Sequence, residues 1–199
     1  HSANAQAALG WAYNHSRRYA EARPEFSRAV SLDPQAAFPA WSLGHAQLRL
    51  GLLDDALATL ERAVALTGRE HFFELALYGV ALARAGRQGE ARGILAELRG
   101  KAARGVYVPP FDLAVLLSAL GEREETLAAL ERAYEAGGAW PKYAAVLEAR
   151  AGDRPDPLER KALFERLAEV RERRLQNPEM AFLALCRAFR EDPADPGTR

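Results

Sequence analysis

The chain predicts an all-α fold, a right-handed α-solenoid of antiparallel helix pairs in about five repeats. Three observations carry this expectation. Landmarks recur at a fixed interval: Leu9-Gly10 returns as Leu43-Gly44, Ala22 as Ala56, Phe26 as Leu60 and Ala29 as Ala63, each 34 residues on. A period of that length marks a stacked two-helix unit. Ala, Leu, Glu and Arg dominate the 199 residues, and all four favour helix. The nearest approach to a strand is Val106-Tyr107-Val108, which is too short to suggest a sheet.

The first repeat occupies residues 3–36. Its first helix carries Leu9, Gly10 and Tyr13, its second Ala22, Phe26 and Ala29, with Asn14-His15-Ser16 as the turn. Gly10, Ala22 and Ala29 let the paired backbones approach, and Phe26 fills the adjoining gap. Pro34 stops the second helix. Repeat two, residues 37–71, repeats the pattern with Gly51 between its helices and Gly68 at its end. Repeat three, 72–106, carries Gly79, Leu82, Ala91, Leu95 and Leu98, and the step from Ala56 to Ala91 stretches to 35. Repeat four, 107–140, has Leu113, Ala114, Leu117, Thr126, Leu130 and Ala133.

Beyond Trp140 the rhythm slips. Residues 141–161 read as an irregular helical joint interrupted by the breaker cluster Gly152-Asp153-Arg154-Pro155-Asp156-Pro157. Residues 162–195 read as a fifth repeat. Leu163, Leu167 and Val170 share one face of its first helix, and Ala181, Leu185 and Ala188 lie on its second. Residues 196–199 are expected to be a disordered tail.

Composition excludes several functions. With 27 basic and 27 acidic residues the chain has no electrostatic support for nucleic-acid binding. No run approaches the length of a membrane span. Cys186 is the one cysteine, so no internal disulfide framework exists, and a thiol buried near Phe182 is expected. The chain opens on His1-Ser2, and its one Met is Met180, as in an excised piece of a longer protein. A cytoplasmic setting is expected.

Leu9-Gly10-x-x-Tyr13 followed by Ala22, Phe26, Ala29 and Pro34 resembles the tetratricopeptide repeat signature. The resemblance covers nearly the whole chain. It departs where Gln6 and Ala40 replace the usual tryptophan near the repeat start, and where Ala114 and Thr126 replace glycine and alanine. The stretch from Tyr107-Val108-Pro109-Pro110-Phe111-Asp112 to Glu131-Arg132-Ala133-Tyr134 is also similar to the closing repeats of bacterial signalling proteins. That likeness implies a sensory or protein-contacting module, and a ligand-sensing regulatory domain is the alternative reading.

The resemblance implies that the first helix of each repeat lines an inner, concave groove. By register, the groove set is Trp11, Asn14, Trp41, His45, Arg49, Phe73, Val80, Arg84 and Phe111. Aromatic anchors offer large contact area, and the arginines suit a carboxylate or backbone carbonyl. The expected function is a non-catalytic scaffold that binds a protein or peptide segment in this groove. The inner helices lack the Lys, Asn and Arg pattern of chaperone-tail receptors: Ala7, Trp11, Ser42, Ala76 and Val80 stand at the corresponding places. Terminal repeats without polar caps expose apolar faces, which self-association or flanking sequence would cover.

No catalytic, cofactor or metal site is expected. His15, His45 and His71 lie on different repeats and have no i, i+4 ligand beside them. Asp54-Asp55 and Glu124-Glu125 sit at helix starts, where they complement free N–H groups. Glu169 and Arg173 are spaced for a surface ion pair.

Overall fold

The computed structural model describes residues 2–193, so the expected tail at 196–199 lies outside the described residues. Among the described residues there are eleven helices and no strand. They are α1 (Ala3–His15), α2 (Tyr19–Leu32), α3 (Ala37–Arg49), α4 (Leu53–Leu66), α5 (Phe72–Arg84), α6 (Gln88–Ala103), α7 (Pro110–Leu120), α8 (Arg123–Ala136), α9 (Trp140–Asp153), α10 (Pro157–Arg173) and α11 (Pro178–Glu191). They form two compact units, the first ending at Glu122 and the second beginning at Arg123.

In the first unit, α1 pairs with α2, α3 with α4 and α5 with α6. Each pair then packs on the next helix along the chain. The repeated glycines explain how closely the pairs approach. A Cβ on Gly10 would lie 2.8 Å from Phe26 Cδ1, and one on Gly44 would lie 2.5 Å from Leu60 Cγ. Phe26, Leu60, Ala22, Ala56, Ala29 and Ala63 are all fully buried, so the 34-residue landmarks are the helix-pair core. Leu9 departs from this pattern. It is 44% exposed, whereas Leu43, packed against Ala22 and Phe26 of α2, is 8% exposed.

The first turn also differs from the sequence expectation. Asn14 and His15 remain helical, and the chain reverses at Ser16–Arg18. Arg17 takes the left-handed conformation, φ 57°. Its N–H bonds Asn14 O at 3.0 Å, and the Arg18 N–H bonds Tyr13 O at 2.9 Å, so the last carbonyls of α1 are satisfied. The corresponding residues one, two and three repeats later are Gly51, Gly86 and Gly121, with φ of 78°, 80° and 80°. Of these four turns only the first holds a side chain in this conformation, at a cost of about 1 kcal/mol; in the second unit Gln176, two residues before α11, does the same with φ 50°.

The second unit packs α8 on α9, α9 on α10 and α10 on α11. Residues 140–153 form one continuous helix, and the breaker cluster supplies the turn into α10, where the Asp156 side chain accepts from the Leu158 N–H. Ala129 is the buried residue of α8, while Thr126, Leu130 and Ala133 are half-buried. Its core joins Tyr143, Leu147, Phe164, Leu167 and Val170 to Ala181, Ala184 and Ala188. Ion pairs are dense, among them Arg123–Asp153 at 2.6 Å, Arg160–Glu191 at 2.5 Å, Arg166–Glu135 at 2.8 Å and the expected Glu169–Arg173 at 2.8 Å.

Candidate functional site

Five of the nine groove residues meet in one depression of the first unit. Trp11 and Asn14 from α1, Trp41 and His45 from α3, and Phe73 from α5 line it with His15, Arg17 and Tyr19. Its volume is about 310 Å³, small but within the range of ligand pockets. Adjacent first helices, α1 beside α3 and α3 beside α5, create the constellation. One residue per turn on successive first helices faces the same way, so aromatics from three repeats stack into a row.

The rings sit edge to face. Trp41 lies 5.8 Å from Trp11, 5.6 Å from Phe38 and 5.3 Å from Phe73, with planes inclined by 83°, 84° and 85°. Trp11 also contacts Phe38 at 5.5 Å and His15 at 4.3 Å. Such pairs contribute about 0.5–1.5 kcal/mol each beyond area burial. Phe38 and Phe73 nevertheless remain exposed, and both tryptophans are partly exposed. The row is therefore held by its own contacts while leaving apolar surface open.

His45 is the polar centre of the depression. Its Nδ1 lies 3.1 Å from Asn14 Oδ1, so the ring donates there, and Tyr19 packs edge-on at 5.9 Å. Burial first, and the Arg49 charge second, push its pKa down to about 4. The imidazole is therefore neutral at pH 7, with its second nitrogen available as an acceptor. Arg17 is the one arginine or lysine in the lining, and no carboxylate lines it. Arg49 borders it, with its guanidinium 5.2 Å from the Tyr19 ring centre.

The remaining candidates lie elsewhere. Val80 corrects the sequence reading: it is 4% exposed and offers a partner no surface. Its helix, α5, is buried from Glu74 to Ala83 because α3, α4, α6 and α7 all pack on it. Arg84 is exposed and reaches the Leu48 carbonyl at 3.5 Å. Phe111 is exposed in the first turn of α7. The Pro109-Pro110-Phe111-Asp112 segment starts that helix: Pro109 is the N-cap residue and Pro110 takes the first helical position. Asp112 is buried there, and burial raises its pKa to about 6. Cys186 is another correction, being partly exposed on the face of α11 turned away from its buried alanines.

Sequence reasoning missed Tyr19 and left Phe38 out of the groove set. Tyr19 opens a second helix, outside the positions searched, and Phe38 stands three residues before Trp41. It also missed a depression of about 720 Å³ in the second unit, lined by Glu135, Trp140, Tyr143, Arg166, Arg173 and Arg174 among others. There the Arg174 guanidinium lies 4.7 Å over Trp140, and Arg166 lies 5.6 Å over Tyr143. Among the described residues no group of three or more His, Cys, Asp or Glu is placed to hold a metal, and no helix is long and apolar enough to cross a membrane.

Consecutive helix pairs with small residues at their junctions define a helical-repeat protein of the solenoid class. Residues 3–36 match the family model described as tetratricopeptide repeat, and the chain has the tetratricopeptide-repeat fold. In solved structures it is similar to PilW, a widely conserved type IV pilus biogenesis factor, at 16% identity and a TM-score of 0.61, covering 98% of this chain and 96% of that one. A tetratricopeptide repeat protein from Parabacteroides merdae shares 13% identity at a TM-score of 0.52, over 98% and 81% of the two chains. The APC/C hetero-tetramer Cut9–Hcn1 gives 18% and 0.52, over 99% of this chain and 41% of that one. At these identities the likeness is one of fold. No curated protein matches the sequence.

Proposed function

We propose that the chain is a non-catalytic interaction module, and that the aromatic depression of its first unit binds an extended partner segment. The observation that carries this is Arg17. The repeat places glycine at this left-handed position in Gly51, Gly86 and Gly121, yet the first repeat holds a strained arginine whose side chain lines the aromatic row. Strain retained beside a cleft points to use. An apolar or aromatic side chain fits against Trp11, Trp41 and Phe73, with a carboxylate beside it answering Arg17 and Arg49. Neutral His45 adds an acceptor for a backbone N–H of the segment.

The test is a peptide array probed with the full chain, followed by titration of the best sequences using tryptophan emission. Peptides combining an aromatic residue with a neighbouring acid should bind. Trp41→Ala with Phe73→Ala should weaken them by roughly tenfold or more at unchanged far-UV circular dichroism. Equal binding by that double variant would refute the assignment. Arg17→Gly should raise stability by about 0.5–1 kcal/mol while lowering affinity for the acidic peptides selectively.

A further inference from the structure

The last described helix carries an apolar stripe that no other described residue of its unit covers. α11 packs on α10 through Ala181, Ala184 and Ala188, all buried. About a third of a turn round the helix, Phe182, Leu185, Cys186 and Phe189 follow at i, i+3, i+4 and i+7, the spacing of a helix face made for another helix. Phe182 is 66% exposed, Leu185 40% and Phe189 38%. Leu185 stands between Ala181 and Ala188 as Phe26 stands between Ala22 and Ala29, and Phe26 is fully buried. The same position is thus packed in the first repeat and open here.

The charges on α11 indicate what covers the stripe. Arg187 is engaged by Glu148 at 2.5 Å, Glu191 by Arg160 at 2.5 Å and Asp192 by Lys161 at 3.4 Å. Glu179 in the first turn and Arg190 in the last are exposed, and both lie along the same edge of the stripe. When two copies of one helix pair antiparallel about a two-fold axis, like edges face each other and opposite ends coincide. Phe182 then lies across from Phe189 of the second copy. Glu179 comes beside Arg190 at both ends.

We infer that α11 is a homodimer interface, its occupant the α11 of a second copy of this chain in antiparallel register. This does not depend on the reading of the aromatic depression, which lies in the other unit. One helix face is a small interface, so association is reversible and follows concentration.

Sedimentation equilibrium of the full chain over a roughly hundredfold range of concentration should show the mass rising from 21.8 kDa to that of a dimer and levelling there. Phe182→Glu with Phe189→Glu should hold it monomeric, with circular dichroism unchanged because both side chains are exposed. Glu179→Arg and Arg190→Glu should each weaken the dimer, and the two together should restore it. A wild-type chain that stays monomeric overturns the inference. So does a mass that climbs beyond the dimer, as end-to-end stacking would give, or a dimer that survives the double phenylalanine change. Failure of the double charge reversal to restore association overturns it as well.

Discussion

The aromatic depression of the first unit and the depression around Trp140 in the second are built from the same side-chain types in opposite ways. In the first unit the rings hold one another edge to face, and the surface of Trp41 and Phe73 stays open. In the second the rings are capped by the chain's own cations, Arg174 over Trp140 and Arg166 over Tyr143. Arg166 and Arg173 are in turn tied to Glu135 and Glu169. An aromatic floor can take a partner only where the fold does not already supply the ligand, which is the distinction the proposed function rests on. The larger cavity is the one whose recognition groups are already engaged.

The strongest way to break this contrast is to remove what fixes the first row. Phe26→Ala empties the space against Gly10 and should cost about 3–5 kcal/mol. Urea unfolding would show the loss, and the near-ultraviolet signal of the ring row should fade with it.

A second perturbation is pH, where two groups of the first unit act in opposition. His45 has its folded pKa lowered from 6.5 to about 4. As pH falls through that window the unfolded chain takes a proton that the folded chain refuses, so stability is lost. Asp112 has its folded pKa raised from 3.8 to about 6, so between those values the folded chain takes the proton first and stability is gained as pH falls. Each contribution is about 1–2 kcal/mol after solvent screening. The wild type should therefore change little over this range on their account. Asp112→Asn should become acid-labile between pH 6.5 and 4, and His45→Gln should become more stable as pH falls, both read by thermal melts across pH.

The smallest expected effect sharpens the comparison most. Arg174→Ala uncovers Trp140 at a cost below about 1 kcal/mol, since an exposed cation–π contact is worth no more. If self-capping is what closes the second depression, this variant should gain weak binding of aromatic peptides while the wild-type unit does not. Trp140 emission would report it.

Much of the fold was legible in the sequence because close helix approach demands small residues at fixed places. Gly10, Gly44, Ala22 and Ala56 announced the pairs, and the structure places them at the contacts. The aromatic row was legible from helix register instead, since Trp11, Trp41 and Phe73 all lie on first helices, although 30 and 32 residues apart rather than 34. Val80 was misread because register says which way a residue points and not what a later helix lays over it. Arg17 was invisible as a strained position because arginine gives no conformational signal; comparing it with Gly51 and Gly86 would have revealed it. The second depression escaped because it depends on Arg166 of α10 and Arg174 just past it lying over rings of α9, a long-range arrangement that no local spacing encodes.

The two indoles of the first unit, 5.8 Å apart and nearly perpendicular, have an optical consequence. Chromophores this close share their electronic transitions, so the pair should give a coupled dichroic band that a single tryptophan cannot. Any guest that wedges against Trp41 would alter that band, while Trp140, beneath its guanidinium, serves as a built-in reference. The unlabelled chain thus carries its own gauge of occupancy.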